Sequence, residues 1–573
     1  MPTTRVRRAA FAILLAAALW ACTYRLGAMA LLDDPNEAEY AEVAREMVES
    51  GHWMSPQLNG VLFLNKPPLA YWLVGAADRA FGINEFAARL PSGLAMLLVV
   101  GLVAWLGGVL FDAETGWLAG AILLATGSTF VESHLVRPDL WLVVGITGSL
   151  VALAYLSTPA ADGAAKDARQ RRWPLLAWQI SLAIGLLAKG MLALLIPGAV
   201  CLVLVRSERR VDLLRRLLHP RAWWLLAVLV LPWHAAMSLR HPGFLWDYVI
   251  NQHLLFFFDR KLPRDSVPVS LPMFWEAFGL RLFPWTIFAP LAIAKAWFGR
   301  RCGAEARGDR LLLAWAGAVL LFFSLAGSRM EHYSMPAIPA LALLLARLFR
   351  DAGGARGDAW ARVRDAHVVG CALLALAAPI LVPRLVASDA WLAPIGDVAG
   401  VARTVFSIFA AGAALAAGAV LLGRRAAVVP LLMATSLVLV PFVHQGLTLM
   451  THIDSSAPLA AAVQAFADPT DRIVLESPVE YQSCAGFNFY LRRRLDLIYP
   501  PAFTAAPTYL QPHLDRLFVS RERFEDLWAS DARVFLITDP SRPTARLEGS
   551  VPQPFYIVAH DHARWVITNR RFH

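Results

Sequence analysis

Two sets of ionisable side chains stand out in an otherwise apolar chain of 573 residues. The first is acidic: Asp34 and Glu37 in the run Asp33-Asp-Pro-Asn-Glu37, and Asp139 in Val-Arg-Pro-Asp-Leu. A carboxylate at such a place can take the proton of an acceptor hydroxyl as a new bond forms to its oxygen. The second set is cationic and includes Lys66 of Lys-Pro-Pro and Lys189 of Ala-Lys-Gly. It continues with Arg260 and Arg264 in the segment 251–265, and with Arg329 in Ser328-Arg-Met-Glu-His-Tyr333. Together these could grip a lipid-linked phosphate through charge-assisted hydrogen bonds. Pro67 and Pro68 stiffen the backbone after Lys66 and so place its ammonium group better than a flexible loop would.

Each of these residues also has a plainer use. Asp34 and Asn36 are types that cap a helix, Glu37 suits a first turn, and Asp139 could cap the span that follows it. A single Lys or Arg near the interface commonly snorkels to headgroups. His253 and His332 lack a ligand partner at a metal-binding spacing. No obligatory metal is expected, although a divalent ion is not excluded. The reading rests on the sets falling on one side of a membrane.

The chain is 57% hydrophobic and only 17% charged, which marks an integral membrane protein. Apolar runs predict about thirteen spans, near 9–31, 92–111, 117–136, 139–157, 174–188, 191–206, 222–239, 273–297, 311–327, 334–350, 367–384, 402–422 and 427–447. The pair within 174–206 also reads as a re-entrant hairpin. With the N-terminus inside, nearly every inner loop is rich in Lys and Arg, and the acidic and basic sets fall at the outer ends of spans. The net charge of +10 is therefore a topology signal, and no nucleic-acid partner is expected. Arg5, Arg7 and Arg8 before an apolar run read as a retained first span rather than a cleaved signal. The five cysteines suggest no disulfide.

Beyond residue 450 the pattern alternates: helix 457–467, strand 473–476, helix 484–491, strand 495–499, helix 514–529, and strands 534–538, 555–559 and 565–568. This predicts a small outer α/β domain, 450–573, after a membrane domain, 1–449. Large outer loops are expected at 33–91 and 240–272.

The runs Pro35-Asn-Glu-Ala-Glu-Tyr-Ala-Glu-Val-Ala-Arg-Glu-Met47, Ser50-Gly-His-Trp53, Lys66-Pro-Pro-Leu-Ala-Tyr-Trp72 and Phe81-Gly-Ile-Asn-Glu-Phe-Ala-Ala-Arg-Leu-Pro91 resemble the family 39 glycosyltransferases. Leu187-Ala-Lys-Gly190 and Tyr333-Ser-Met-Pro-Ala-Ile-Pro-Ala-Leu341 are similar too. That family includes relatives of the aminoarabinose lipid A transferase and the protein O-mannosyltransferases. The resemblance implies an all-α polytopic GT-C fold with interfacial helices in the first outer loop. It also implies a polyprenyl-phosphate sugar donor, with undecaprenyl phosphate as carrier, and inverting transfer to a lipid, glycan or protein acceptor. The setting it implies is a bacterial inner membrane, with the N-terminus cytoplasmic and the C-terminal domain periplasmic. Asp139 matches the second acidic residue of the family, and Lys66 matches the residue near the donor phosphate. Lys189, Arg260 and Arg329 are assigned beside Lys66, and Asn36, Tyr40, Tyr71, His253 and Tyr333 to substrate positioning.

Relatives often carry Asp-Glu where this chain has Asn36-Glu37, and Glu where it has Asn65. An amide cannot serve as base, so that role passes to Asp34, Glu37 or Asp139, or residue 36 only positions substrate. Two other functions stay open: a lipid-linked glycan transporter, and an oligosaccharide polymerase or ligase with a pyrophosphate-linked donor.

Overall fold

The computed structural model describes residues 4–33, 37–157, 168–262, 268–299, 303–350, 359–389, 392, 395–476, 481–498, 509–538, 551–561 and 563–571. Each of the thirteen apolar runs contains helix, although the first, 9–31, is helical only to Thr23. Among the described residues, five helices have the length and composition to cross a membrane, and two bent pairs could each add a span. The protein is thus a multi-pass membrane protein built mainly of helices.

Three runs expected as single spans are interrupted. The run 117–136 divides into Ala113–Leu124 and Gly127–Ser133. Thr126 turns its hydroxyl back to the Ile122 carbonyl, and Gly127 N–H donates to the Phe283 carbonyl at 2.8 Å, so the break is satisfied internally. The run 273–297 bends by 106° between Leu271–Leu282 and Thr286–Phe298, and 367–384 bends by 54° between Ala359–Ala375 and Ala378–Ser388. The region 174–206 forms two helices, Ala168–Ala188 and Leu192–Glu208.

The segment 37–81 between the first spans is a small fold in its own right. The helix Glu37–Ser50 has almost no apolar excess, yet residues 37–47 are buried on every side. It packs against both the helix Leu69–Phe81 and the helix Ala485–Leu491 of the C-terminal domain. After it, β1 (Gln57–Leu58) and β2 (Val61–Leu62) form a hairpin whose two turn residues, Asn59 and Gly60, have φ of 53° and 77°. Such a turn favours Asn-Gly because both positions need positive φ. A Cβ on Gly60 would also lie 2.2 Å from the Arg494 guanidinium carbon, so that side chain would have to shift.

The C-terminal domain contains β3 (Arg472–Glu476), β4 (Asp496–Ile498), β5 (Phe518–Val519), β6 (Val534–Ile537), β7 (Tyr556–His560) and β8 (Trp565–Thr568). Their order is β5-β4-β3-β6-β8-β7, parallel through the first four and antiparallel at the β6, β8 and β7 edge. The helix expected over 514–529 is two short helices, because Phe518 and Val519 pair with Leu497 and Ile498 instead. Burial of those two side chains in a sheet outweighs the local helical preference.

This domain is strapped to the segment between the first spans. Asn59 exchanges two hydrogen bonds with the Leu495 backbone, each 2.9 Å, and accepts a third from Asn488. Asp33 accepts from Ser456 and Arg564, and Tyr490 Oη joins the Leu31 amide to Glu85. One apolar core, including Phe63, Tyr71, Tyr481 and Phe487, runs through both.

Asp78, on the helix Leu69–Phe81, is 3% exposed with neither oxygen hydrogen-bonded. Burial pushes its carboxyl up to about 7, against some pull from Arg45. A raised folded-state value favours the protonated form, so stability is full at low pH and falls as pH rises from about 4 towards 7. Asp78→Asn should remove this loss. Thermal melting in detergent should show a gain in Tm that is absent near pH 4, grows to about 2 °C or more by pH 7, and then levels.

Candidate functional site

The ends of several helices line a cavity of about 510 Å³. Its walls are mostly apolar, with Leu192, Leu195, Phe257 and Phe322 among them, and two ammonium groups, Lys66 and Lys189, line it as well. Lys66 follows the β1–β2 hairpin and immediately precedes the two buried prolines that start the helix Leu69–Phe81. Lys189 ends the helix that reaches Ala188, and Gly190 beside it has φ of 109°. A Cβ on Gly190 would stand 2.6 Å from His253 Nε2 and 2.8 Å from Tyr248 Oη. Only glycine lets those two side chains close over the lysine turn.

Asp139 opens the helix Asp139–Ser157 and is 4% exposed. Its Oδ1 is paired with the Lys189 ammonium, and His332 Nε2 lies 3.9 Å from the same oxygen. Lys189 Nζ also sits 4.3 Å from the Tyr333 ring centroid, close enough for a cation–π contact. A second ionic layer supports the turn that carries His332 and Tyr333. Glu132, fully buried, is held by Arg137 at 3.4 Å and by Arg281, whose Nε also donates to the Glu331 carbonyl. His332 Nδ1 faces Glu331 Oε1 at 3.3 Å. Burial, aided by Arg137, lowers the affinity of His332 for a proton, and burial with Lys66 nearby does the same for His253. His253 is therefore neutral at neutral pH. Its Nδ1–H donates to the Tyr248 carbonyl at 2.6 Å, which leaves Nε2 to accept the Met191 amide at 3.4 Å.

The far wall comes from the π-helical turn Asp247–Leu255 and the chain after it. Asn251 folds that chain back by clamping both backbone groups of Leu262. Gly327 N–H donates to Phe257 O at 2.6 Å, and Ser328 Oγ to Asp259 Oδ1 at 3.0 Å. These bonds fasten the wall to the turn bearing Tyr333.

The structure brings together Lys66, Lys189, Asp139, His253 and Tyr333. Tyr40 belongs to the neighbourhood as well. Burial first, then Glu39, Tyr71, Asp139 and Tyr333, hold its phenol well above the usual range, so it is a protonated donor. Tyr71 stacks on Tyr40 with centroids 5.5 Å apart but is wholly buried outside the cavity wall.

Other assignments are corrected. Glu37 does not face an acceptor: its Oε1 accepts from Arg89 Nε at 2.8 Å and Val136 N at 3.1 Å, and its Oε2 from Arg89 Nη2 at 2.8 Å and Leu32 N at 2.9 Å. All four lone-pair positions are filled, which makes it a buried clamp between three segments. Arg329 caps a helix end, donating to the carbonyls of Phe323, Ser324, Ala326 and Val269. Its guanidinium is spent on those orphan carbonyls rather than on an anion. Arg260 is exposed beside the lining phenylalanines and is not itself in the wall. Asp34, Asn36 and Arg264 lie outside the described residues. Among the described residues, no three His, Cys, Asp or Glu side chains are grouped as a metal would need. Sequence reasoning passed over Arg89, Glu132, Arg137 and Arg281. Arg89 could have been found, since an arginine at the head of an apolar span needs a buried partner.

A family model described as dolichyl-phosphate-mannose-protein mannosyltransferase matches residues 9–248. The undecaprenyl phosphate-alpha-4-amino-4-deoxy-L-arabinose arabinosyl transferase of Yersinia enterocolitica is 31% identical over 324 residues, 56% of each chain. A namesake from Sodalis glossinidius is 33% identical over 60% of each. The chain thus spans little more than half the length of the curated relatives it matches. The crystal structure of ArnT from Cupriavidus metallidurans bound to undecaprenyl phosphate superposes with a TM-score of 0.80 at 22% identity, over 98% of both chains. The chain therefore has the GT-C fold, with a small C-terminal sheet domain. Sequence and fold agree on a likeness to the family 39 glycosyltransferases.

Removing one partner of the Glu37–Arg89 pair strands a buried charge. Glu37→Ala and Arg89→Ala should each destabilise the protein by about 3–5 kcal/mol. In a double-mutant cycle read by thermal melting, the pair should cost clearly less than the sum.

Proposed function

We propose that this chain is an inner-membrane glycosyltransferase that moves a sugar from a polyprenyl-phosphate donor, with undecaprenyl phosphate as carrier, to an envelope acceptor at the periplasmic face. The observation that carries this reading is the cavity itself. An apolar cavity wall beside two ammonium groups suits a prenyl tail ending in a phosphate. The names of the relatives and the lipid bound to the ArnT crystal structure support it.

In this reading the donor phosphate lies against Lys66 and Lys189, and its isoprene units lie along Leu192, Leu195 and the phenylalanines. As the anomeric carbon–oxygen bond breaks, negative charge grows on the phosphate oxygen, where two pre-placed ammonium groups stabilise it. Tyr333 holds Lys189 in place, while Tyr40 stands near Asp139 as a hydrogen-bond donor. Asp139, paired with Lys189 of the cavity wall, is the carboxylate assigned to receive the acceptor's proton or hold the acceptor in line. The N-terminus would be cytoplasmic and the C-terminal domain periplasmic, since this places the cavity and the docked domain on the outer side. The donor likeness favours lipid A as acceptor, with other envelope glycans and protein hydroxyls as alternatives.

Purified protein given a polyprenyl-phosphate sugar should release free polyprenyl monophosphate as product forms. A transporter would release none, and a polymerase or ligase would release the pyrophosphate. Lys66→Ala should lower transfer about 100-fold or more, and Asp139→Asn should abolish it, with both proteins still inserted in the membrane. Full transfer by both variants would refute the assignment.

A further inference from the structure

Lys189 serves two neighbours. Its ammonium is paired with buried Asp139, yet its side chain is also part of the cavity wall, beside Lys66's end of the channel. Asp139 itself is not in that wall. An ammonium carries a single positive charge, so a phosphate arriving in the cavity would share that charge and weaken its hold on the carboxylate, even where its three N–H donors reach both anions. Resting on the reading that the cavity takes a polyprenyl-phosphate donor, we propose that Asp139 and the donor phosphate compete for Lys189, so that donor binding itself readies Asp139 to act.

The groups around Asp139 fit such an exchange. His332 Nε2, 3.9 Å from the same oxygen, is beyond hydrogen-bond distance and so does not take the place of Lys189 on it. Tyr333 lies under the lysine on the cavity side, a surface over which the ammonium can shift without losing its cation–π contact. A carboxylate paired with an ammonium is a weak base, and one released from it in a buried place is a stronger one. The balance of the step is then complete. The acceptor oxygen bonds to the anomeric carbon as the bond from that carbon to the phosphate oxygen breaks. The phosphate keeps the electron pair, facing Lys66 and Lys189, and the acceptor's proton passes to Asp139. Without donor the base stays quenched, which guards the site against activating water.

The test is binding, measured on the full chain in detergent with undecaprenyl monophosphate and, as control, undecaprenol. If Asp139 competes for Lys189, Asp139→Asn should bind the monophosphate about fivefold tighter or more than wild type, although it transfers nothing. Lys189→Met should bind about tenfold weaker or more, and the double variant should match Lys189→Met. Affinity for the alcohol should not change. Should Asp139→Asn fail to fold, Asp139→Ser removes the same charge with a smaller side chain and is read in the same way. Unchanged or weaker monophosphate binding by the carboxylate variant would overturn the competition and leave Asp139 as a mere support for Lys189. Wild-type protein that binds monophosphate and alcohol alike would instead overturn the donor reading on which the inference stands.

Discussion

A charge placed beside an apolar cavity must be neutralised by a neighbour, and at Lys189 that neighbour is Asp139. Much of the surrounding architecture serves to keep this one pair in position. Gly190 provides the positive-φ turn after the lysine, and His253 and Tyr248 close over that turn. Asp139 is fixed at a helix start, and Tyr333 lies against the ammonium. Glu132, Arg137 and Arg281 then hold the turn from which Tyr333 and His332 project. Buried charges recur because each one needs a partner, and the partners link segments far apart in the chain.

The same logic explains the segment between the first spans. A helix as polar as Glu37–Ser50 would ordinarily lie on a surface, yet it is enclosed between the helix Leu69–Phe81 and the C-terminal domain. Glu37 is tied to Arg89 and to two backbone amides, and Asp33 reaches Arg564 across the domain boundary. The C-terminal domain thus packs against the segment that presents Lys66. It supplies Tyr481, Phe487 and Phe489 to the core beneath that lysine's hairpin.

How much of this was legible beforehand depended on what each signal encodes. Apolar runs encode the need to avoid water, so every predicted span contains helix. They do not encode where a helix breaks: at Thr126 and Gly127 the break is licensed by the Phe283 carbonyl, which is remote in sequence. Most C-terminal strands followed from alternation, whereas Phe518-Val519 became a strand only because β4 was there to pair with it. In the site, Lys66, Lys189 and Asp139 were identifiable as ionisable groups next to spans. Glu37 and Arg329 carried the same signal but proved to be a clamp and a helix cap. Residue type announces that a buried charge has a partner; only the fold tells whether that partner is a protein group or a substrate.

The most direct measurement is an experimental structure of the protein with undecaprenyl monophosphate. The phosphate should lie within hydrogen-bond distance of both Lys66 and Lys189, with the tail along Leu192, Phe257 and Phe322. A phosphate held elsewhere, or a tail seated in the groove between Phe11 and Trp117, would contradict the account.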